Sequence, residues 1–119
     1  MKLLITLLTS CGLKFLKQSY ESVKNQLDNT LTYDIVIIVN TLDDTYYSEV
    51  LENFKDSKVV RTESNGKPGK GHNSTIQYFK DNTEYDYLIK IDGDDFLYPY
   101  ALSKITNYLK FKPDALILP

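Results

Sequence analysis

Three carboxylates fall within four residues at Asp92-Gly93-Asp94-Asp95. They follow the apolar run Tyr85 to Ile91 and precede Phe96, Leu97 and Pro99. Acids spaced this closely repel one another and cannot all be buried uncompensated. At the end of a buried strand they suit a hard divalent ion. Mg²⁺ or Mn²⁺ takes oxygen ligands from one or two carboxylates and fills its remaining positions with phosphate oxygens. Asp92 and Asp94, separated by a glycine, can turn toward one ion; Asp95 can join them or cap the next helix. A solvated acidic turn accounts for the same residues, because Asp and Gly favour turns. On the motif alone both readings stand. A calcium-binding EF-hand is disfavoured, since Phe96 and Ser103 occupy positions that its ligand ladder needs for acids.

The second chemistry-bearing stretch runs from Asn65 to Asn73. Gly66, Gly69 and Gly71 would let backbone amides approach an anion, and Lys67 and Lys70 would supply charge at a helix N-terminus. A mobile surface loop is the competing reading. The stretch matches neither G-x-x-x-x-G-K-[ST] nor G-x-G-x-x-G. His72 is the only histidine, so a zinc site lacks ligands. No serine or cysteine has the surroundings of a triad nucleophile.

The chain that positions these stretches has 119 residues, enough for one domain with a small core. Fourteen basic residues against sixteen acidic ones give a net charge of -2. That balance excludes nucleic acid as a sequence-independent partner. Cys11 stands alone, so no intrachain disulfide forms, and a reducing, cytoplasmic setting is expected. Lys2 and the apolar run to Leu8, ending in Thr9-Ser10-Cys11, have the outline of a lipoprotein signal. The run is short for a signal peptide and far too short to cross a bilayer. A buried first strand is preferred, and no transmembrane segment is expected.

Hydrophobic spacing sets the remaining order. After the strand at residues 2–9, Leu16, Tyr20, Val23 and Leu27 mark one face of a helix from Lys14 to Asp28. Asp34 to Val39 is a second strand, β-branched on both faces, which favours a parallel sheet covered on both sides. The turn Asn40 to Thr45 caps a helix bearing Tyr47, Val50, Leu51 and Phe54. A short strand, Lys58 to Arg61, leads into the Gly/Lys loop. A helix from His72 to Lys80 follows, with Ile76 and Phe79 inward. Tyr85 to Ile91 is the fourth strand. Pro99 opens a helix with Leu102, Ile105 and Leu109 inward, and Ala115 to Leu118 is a last strand. This is an α/β fold: a mainly parallel, Rossmann-like sheet with helices on both faces. Ligands of such sheets bind beyond the strands' carboxyl ends, where Thr9–Cys11, Asn40-Thr41, the loop after Arg61 and Asp92–Asp95 all lie.

Together these features resemble the N-terminal, nucleotide-sugar-binding half of a GT-A fold glycosyltransferase of family 2. Phe15 to Gln26 resembles that family's first helix, and Asp34 to Asp44 its second strand and acidic turn. Asn65 and Asn73 keep the spacing of its asparagines in the third strand-to-helix connection. Tyr87 to Asp95, with Pro99 after it, resembles the strand that carries its DxD motif. The resemblance implies transfer of a sugar from a UDP- or GDP-linked donor to an unknown acceptor, with Mn²⁺ or Mg²⁺ held by Asp92, Asp94 and Asp95. It implies that Thr9 and Cys11 line the base and ribose pocket, and that Lys70 and His72 lie near the sugar or diphosphate. Asn40, Asn73 and Gly93 complete the expected substrate-binding set.

Three positions depart from the family pattern. Asn40-Thr41 stands where an aspartate pair is usual, and His72 where arginine is frequent. The family's acceptor site and catalytic base come from beyond the position of Pro119. The expectation is therefore one domain, 1–119, without the acceptor-binding half, possessing no nameable base and incomplete as a catalyst. Two alternatives stay open. One is a non-catalytic nucleotide-sugar-binding or self-associating module, a homo-oligomer formed through an exposed sheet edge. The other is a nucleotidyltransferase, although no cation follows the first strand at Thr9-Ser10-Cys11-Gly12.

Overall fold

The computed structural model describes residues 1–62 and 67–111, the side chain of Pro68 excepted. The expected last strand at 115–118, and Asn65 and Gly66 of the Gly/Lys loop, lie outside the described residues. Within them the order is β1 (Lys2–Thr9), α1 (Leu13–Lys24), β2 (Thr32–Val39), α2 (Asp44–Asn53), β3 (Lys58–Arg61), α3 (Pro68–Asp81), β4 (Tyr87–Asp92) and α4 (Ala101–Leu109). The strands form one sheet in the order β3-β2-β1-β4, and every pairing is parallel. The expected α/β class and parallel sheet are therefore present.

Period-two alternation divides the sheet into two faces. Leu3, Ile5 and Leu7 stand in register with Tyr33, Ile35 and Ile37 on one side and with Tyr87, Ile89 and Ile91 on the other. This face packs against Leu16 and Val23 of α1, Tyr46 and Val50 of α2, and Leu102, Ile105 and Leu109 of α4. The opposite face, built on Leu4, Val36 and Ile38, receives Tyr78 and Phe79 of α3. Both faces are thus covered, as the β-branched composition of β2 requires, but by three helices on one and one on the other.

Helix boundaries and faces differ from expectation in all four helices; α4 starts at Ala101, two residues after Pro99, with Tyr100 as its N-cap. Helix α1 ends at Lys24, before Leu27, and Asp28 adopts a positive φ of 54°. Leu27 accordingly stays exposed, while its amide donates to the Pro99 carbonyl. The buried stripe of α2 runs through Tyr46 and Val50 on to Phe54, its C-cap, leaving Leu51 exposed. Helix α3 starts at Pro68, four residues before His72. Proline is well suited to a helix's first turn, so Gly69, Lys70 and Gly71 are helical. Of the expected inward pair on this helix, Phe79 packs against the sheet and Ile76 is exposed. Among the described residues no helix is long and apolar enough to cross a membrane.

At the amino-terminal edge of the sheet, Lys2 Nζ lies 3.0 Å from Asp34 Oδ2, and the Tyr85 hydroxyl donates to that oxygen at 2.7 Å. The Tyr85 hydrogen bond, and after it Lys2, hold the Asp34 carboxyl below its usual range against the opposing effect of desolvation. A depressed folded-state value gives stability that is present above the unfolded carboxylate's pKa and lost as pH falls through the folded one. Asp34→Asn should therefore melt below wild type at pH 7, with the gap closing below about pH 4. Thermal melts across that range check this; an equal gap at pH 7 and pH 3 contradicts it.

Candidate functional site

Strand order places the site. From β1 the chain passes to β2 and β3 on one side, then returns to β4 on the other. The strand order therefore reverses at the β1–β4 pair, and ligands of parallel sheets bind beyond the carboxyl ends of the strands at such a switch point. A cleft of about 610 Å³ lies there, lined by Leu8, Thr9, Ser10, Cys11, Gly12, Phe15, Asn40, His72, Asp92, Gly93 and Asp94. Smaller hollows along α1 and beneath the sheet bring together no comparable set.

Thr9 is buried at the end of β1, and its Oγ1 lies 2.6 Å from the Tyr46 hydroxyl. Burial first of all pushes the Tyr46 hydroxyl's pKa up, so the pair is a neutral hydrogen-bonded wall. Cys11 is exposed. Gly12 takes φ 81° at the entry to α1, and an added Cβ would lie 3.2 Å from Phe15 Cδ2. A left-handed backbone conformation with a ring this close favours glycine.

The acidic loop forms the other wall. Asp92 is in register with Leu8 and so belongs to the α3-facing side of the sheet. His72, on the second turn of α3, brings Nε2 to 4.0 Å from Asp92 Oδ1. Its Nδ1 is buried and has no partner among the described residues. Asp92, Asp94 and Asp95 are exposed, and each presents an oxygen within 4.8 Å of the others. The loop backbone is pinned from two sides. The Gly93 amide donates to the Leu8 carbonyl at 2.7 Å and the Asp95 amide to the Asp92 carbonyl at 3.0 Å. From α1, the fully buried Ser19 donates its hydroxyl to the Asp95 carbonyl.

The expected site residues separate into two groups. Thr9, Cys11, Asn40, His72, Asp92, Gly93 and Asp94 line one cleft, and Asp95 joins the acidic cluster. Lys70 and Asn73 are exposed on α3 beside His72 and do not line the cleft. Sequence reasoning missed Ser19, Tyr46 and Phe15. Ser19 had a readable signal: it interrupts the apolar stripe between Leu16 and Val23, and a buried hydroxyl needs a partner. Tyr46 and Phe15 had none, because either neighbour in each helix fits the period.

Three clustered carboxylates offer only hard oxygen donors, the set that a divalent ion of the Mg²⁺ or Mn²⁺ kind takes. Their exposure leaves room for ligands from another molecule. The donor set therefore fits such an ion.

A profile of glycosyl transferase family 2 matches residues 5–119. The chain belongs to glycosyl transferase family 2. No curated protein matches it. Among solved structures, S. aureus TarS 1–349 superposes with a TM-score of 0.70 and 21% identity, covering 93% of this chain and 33% of that one. The same protein in complex with UDP gives 0.71, at 21% identity and 93% and 32% coverage. Its complex with UDP-GlcNAc gives 0.70, with the same identity and coverage. At this identity the likeness is one of fold, and the chain spans about a third of these structures' length. Within the family frame, the acidic loop and the Thr9–Gly12 turn form the crevice of the parallel sheet.

Close approach at Gly93 makes a test of this geometry. A Cβ there would stand 3.0 Å from the Leu8 carbonyl oxygen and 3.0 Å from Thr9 Cβ, whereas one at Gly69 meets nothing. Gly93→Ala should cost about 1–3 kcal/mol, and Gly69→Ala should be stabilising by up to about 1 kcal/mol. Urea unfolding of both variants checks the contrast; a Gly93→Ala protein as stable as wild type contradicts it.

Proposed function

We propose that the chain is the donor-binding part of a glycosyltransferase, taking a nucleotide-diphosphate sugar with a divalent ion and passing the sugar to an acceptor. The observation that carries this is the acidic triad within 4.8 Å, at the mouth of a cleft large enough for a nucleotide. Family membership supports it and favours sugar transfer over nucleotidyl transfer. The fold neighbour captured with UDP and with UDP-GlcNAc supports a UDP-linked donor, with GDP as the alternative base. The lone cysteine supports a cytoplasmic setting.

In this reading Asp92, Asp94 and Asp95 hold Mn²⁺ or Mg²⁺, which when bound offsets diphosphate charge as the sugar–phosphate bond breaks. Thr9, fixed by Tyr46, and Cys11 face the base and ribose. Gly93 seats the acidic loop against β1 beside the diphosphate, and His72 directs Nε2 toward the same region. Lys70 and Asn73 stand on the adjoining turns of α3 and meet the sugar or diphosphate from outside the cleft. Asn40 closes the cleft between β1 and α3. None of these residues is assigned to binding the acceptor or to activating it.

Calorimetric titration with UDP, GDP and UDP-GlcNAc, with and without Mn²⁺, tests the reading. A nucleotide should bind only with the metal, and Asp94→Ala should weaken it at least about tenfold while leaving the melting temperature near wild type. Cys11, the only cysteine, gives a second readout: its alkylation by a thiol reagent should slow when nucleotide and Mn²⁺ are added. Absence of nucleotide binding under every metal condition overturns the proposal.

A further inference from the structure

Asn40 is buried at 3% exposure at the end of β2, and both ends of its carboxamide are engaged by protein. Nδ2 donates to the Lys67 carbonyl at 3.2 Å, and Oδ1 accepts from Thr62 Oγ1 at 3.0 Å. Its own amide donates to the Thr9 carbonyl at 2.7 Å. The residue thus ties the end of β1 to both flanks of the β3–α3 connection. Helix α3 is fitted to the same side chain. A Cβ at Gly71 would lie 2.6 Å from Asn40 Nδ2 and 3.3 Å from Leu8 Cδ1. Gly71 directly precedes His72, whose Nε2 faces Asp92 at 4.0 Å.

We infer that Asn40 is a positioning residue of the cleft: its carboxamide sets where α3 begins and so where His72 stands against the acidic loop. The chemistry explains why an amide occupies this position in place of the aspartate expected from the resemblance. Asparagine carries a donor and an acceptor on one planar group, which the Lys67 carbonyl and the Thr62 hydroxyl require respectively. Aspartate could still accept from Thr62. Facing the Lys67 carbonyl, it would place oxygen against oxygen and bury a charge. The effect on ligand rests on the functional reading above, whereas the effect on His72 does not.

The single histidine makes the test direct. The ¹H–¹⁵N imidazole resonances of His72 are recorded at one pH for wild type, Asn40→Asp, Gly71→Ala and the core control Val50→Ala, alongside UDP affinity with Mn²⁺. Asn40→Asp and Gly71→Ala should shift the His72 resonances. Both should weaken UDP about tenfold, the scale of a lost hydrogen bond or an unsatisfied buried group. Val50→Ala should lower the melting temperature and move neither readout. If Asn40→Asp does not fold, Gly71→Ala decides the matter. His72 resonances unchanged in the clamp variants, or shifted equally in Val50→Ala, overturn the inference. If wild type binds no nucleotide, the functional reading falls and the His72 resonances still judge the clamp.

Discussion

Three carboxylates held within 4.8 Å of one another are the constraint around which this molecule is arranged. Two unit charges 4 Å apart repel by about 1 kcal/mol in water and about 4 kcal/mol at the effective dielectric of a protein surface. Left free, such a loop would open. Here it is held by its backbone: the Gly93 amide on the Leu8 carbonyl and Asp95 on Asp92, with the Ser19 hydroxyl reaching from α1 to the Asp95 carbonyl. The sheet and a helix thus keep in place charges that oppose one another, and the side chains remain exposed.

That backbone pinning depends in turn on the parallel β1–β4 pair. The register that sets Leu8 opposite Asp92 is fixed by burial of Leu3, Ile5 and Leu7 on one face and Leu4 on the other. A slip of one residue would move every apolar side chain to the wrong face. Core packing therefore dictates where the acids sit. At the other wall of the cleft, Asn40 performs the equivalent task for α3 through hydrogen bonds to Lys67 and Thr62. Arg61 steadies the adjacent turn, with its guanidinium on the Thr41 carbonyl, an ion pair to Asp44 and the Tyr47 ring beneath it.

Much of this was legible in the residues. Continuous apolar runs of strand length gave β1 and β2. Leu102, Ile105 and Leu109 gave the buried side of α4, since buried strands and helix stripes are written in hydrophobic spacing. The acids and Thr9, Cys11, Asn40 and His72 could be brought to one edge because strand ends in a parallel sheet share an edge. What was not legible depends on contacts between distant segments. Pro68-Gly69-Lys70-Gly71 reads as a loop by local propensity, yet it is helical where Gly71 fits against Asn40. Tyr46 and Tyr47 both fit the period, and only the folded chain shows that Tyr46 turns inward, with its hydroxyl on Thr9. The engagement of Asn40 by protein atoms on both ends of its amide likewise requires the folded chain.

The central claim is that the acidic triad receives a divalent ion together with a diphosphate. The most direct measurement is a crystal structure of the protein soaked with UDP and Mn²⁺, with anomalous scattering recorded at the manganese edge. The account predicts one anomalous peak ligated by the carboxylates of the Asp92–Asp95 loop and by phosphate oxygens, with the nucleoside extending toward Thr9 and Cys11. Nucleotide bound elsewhere on the molecule, or manganese absent from the triad in crystals that contain bound nucleotide, would contradict it.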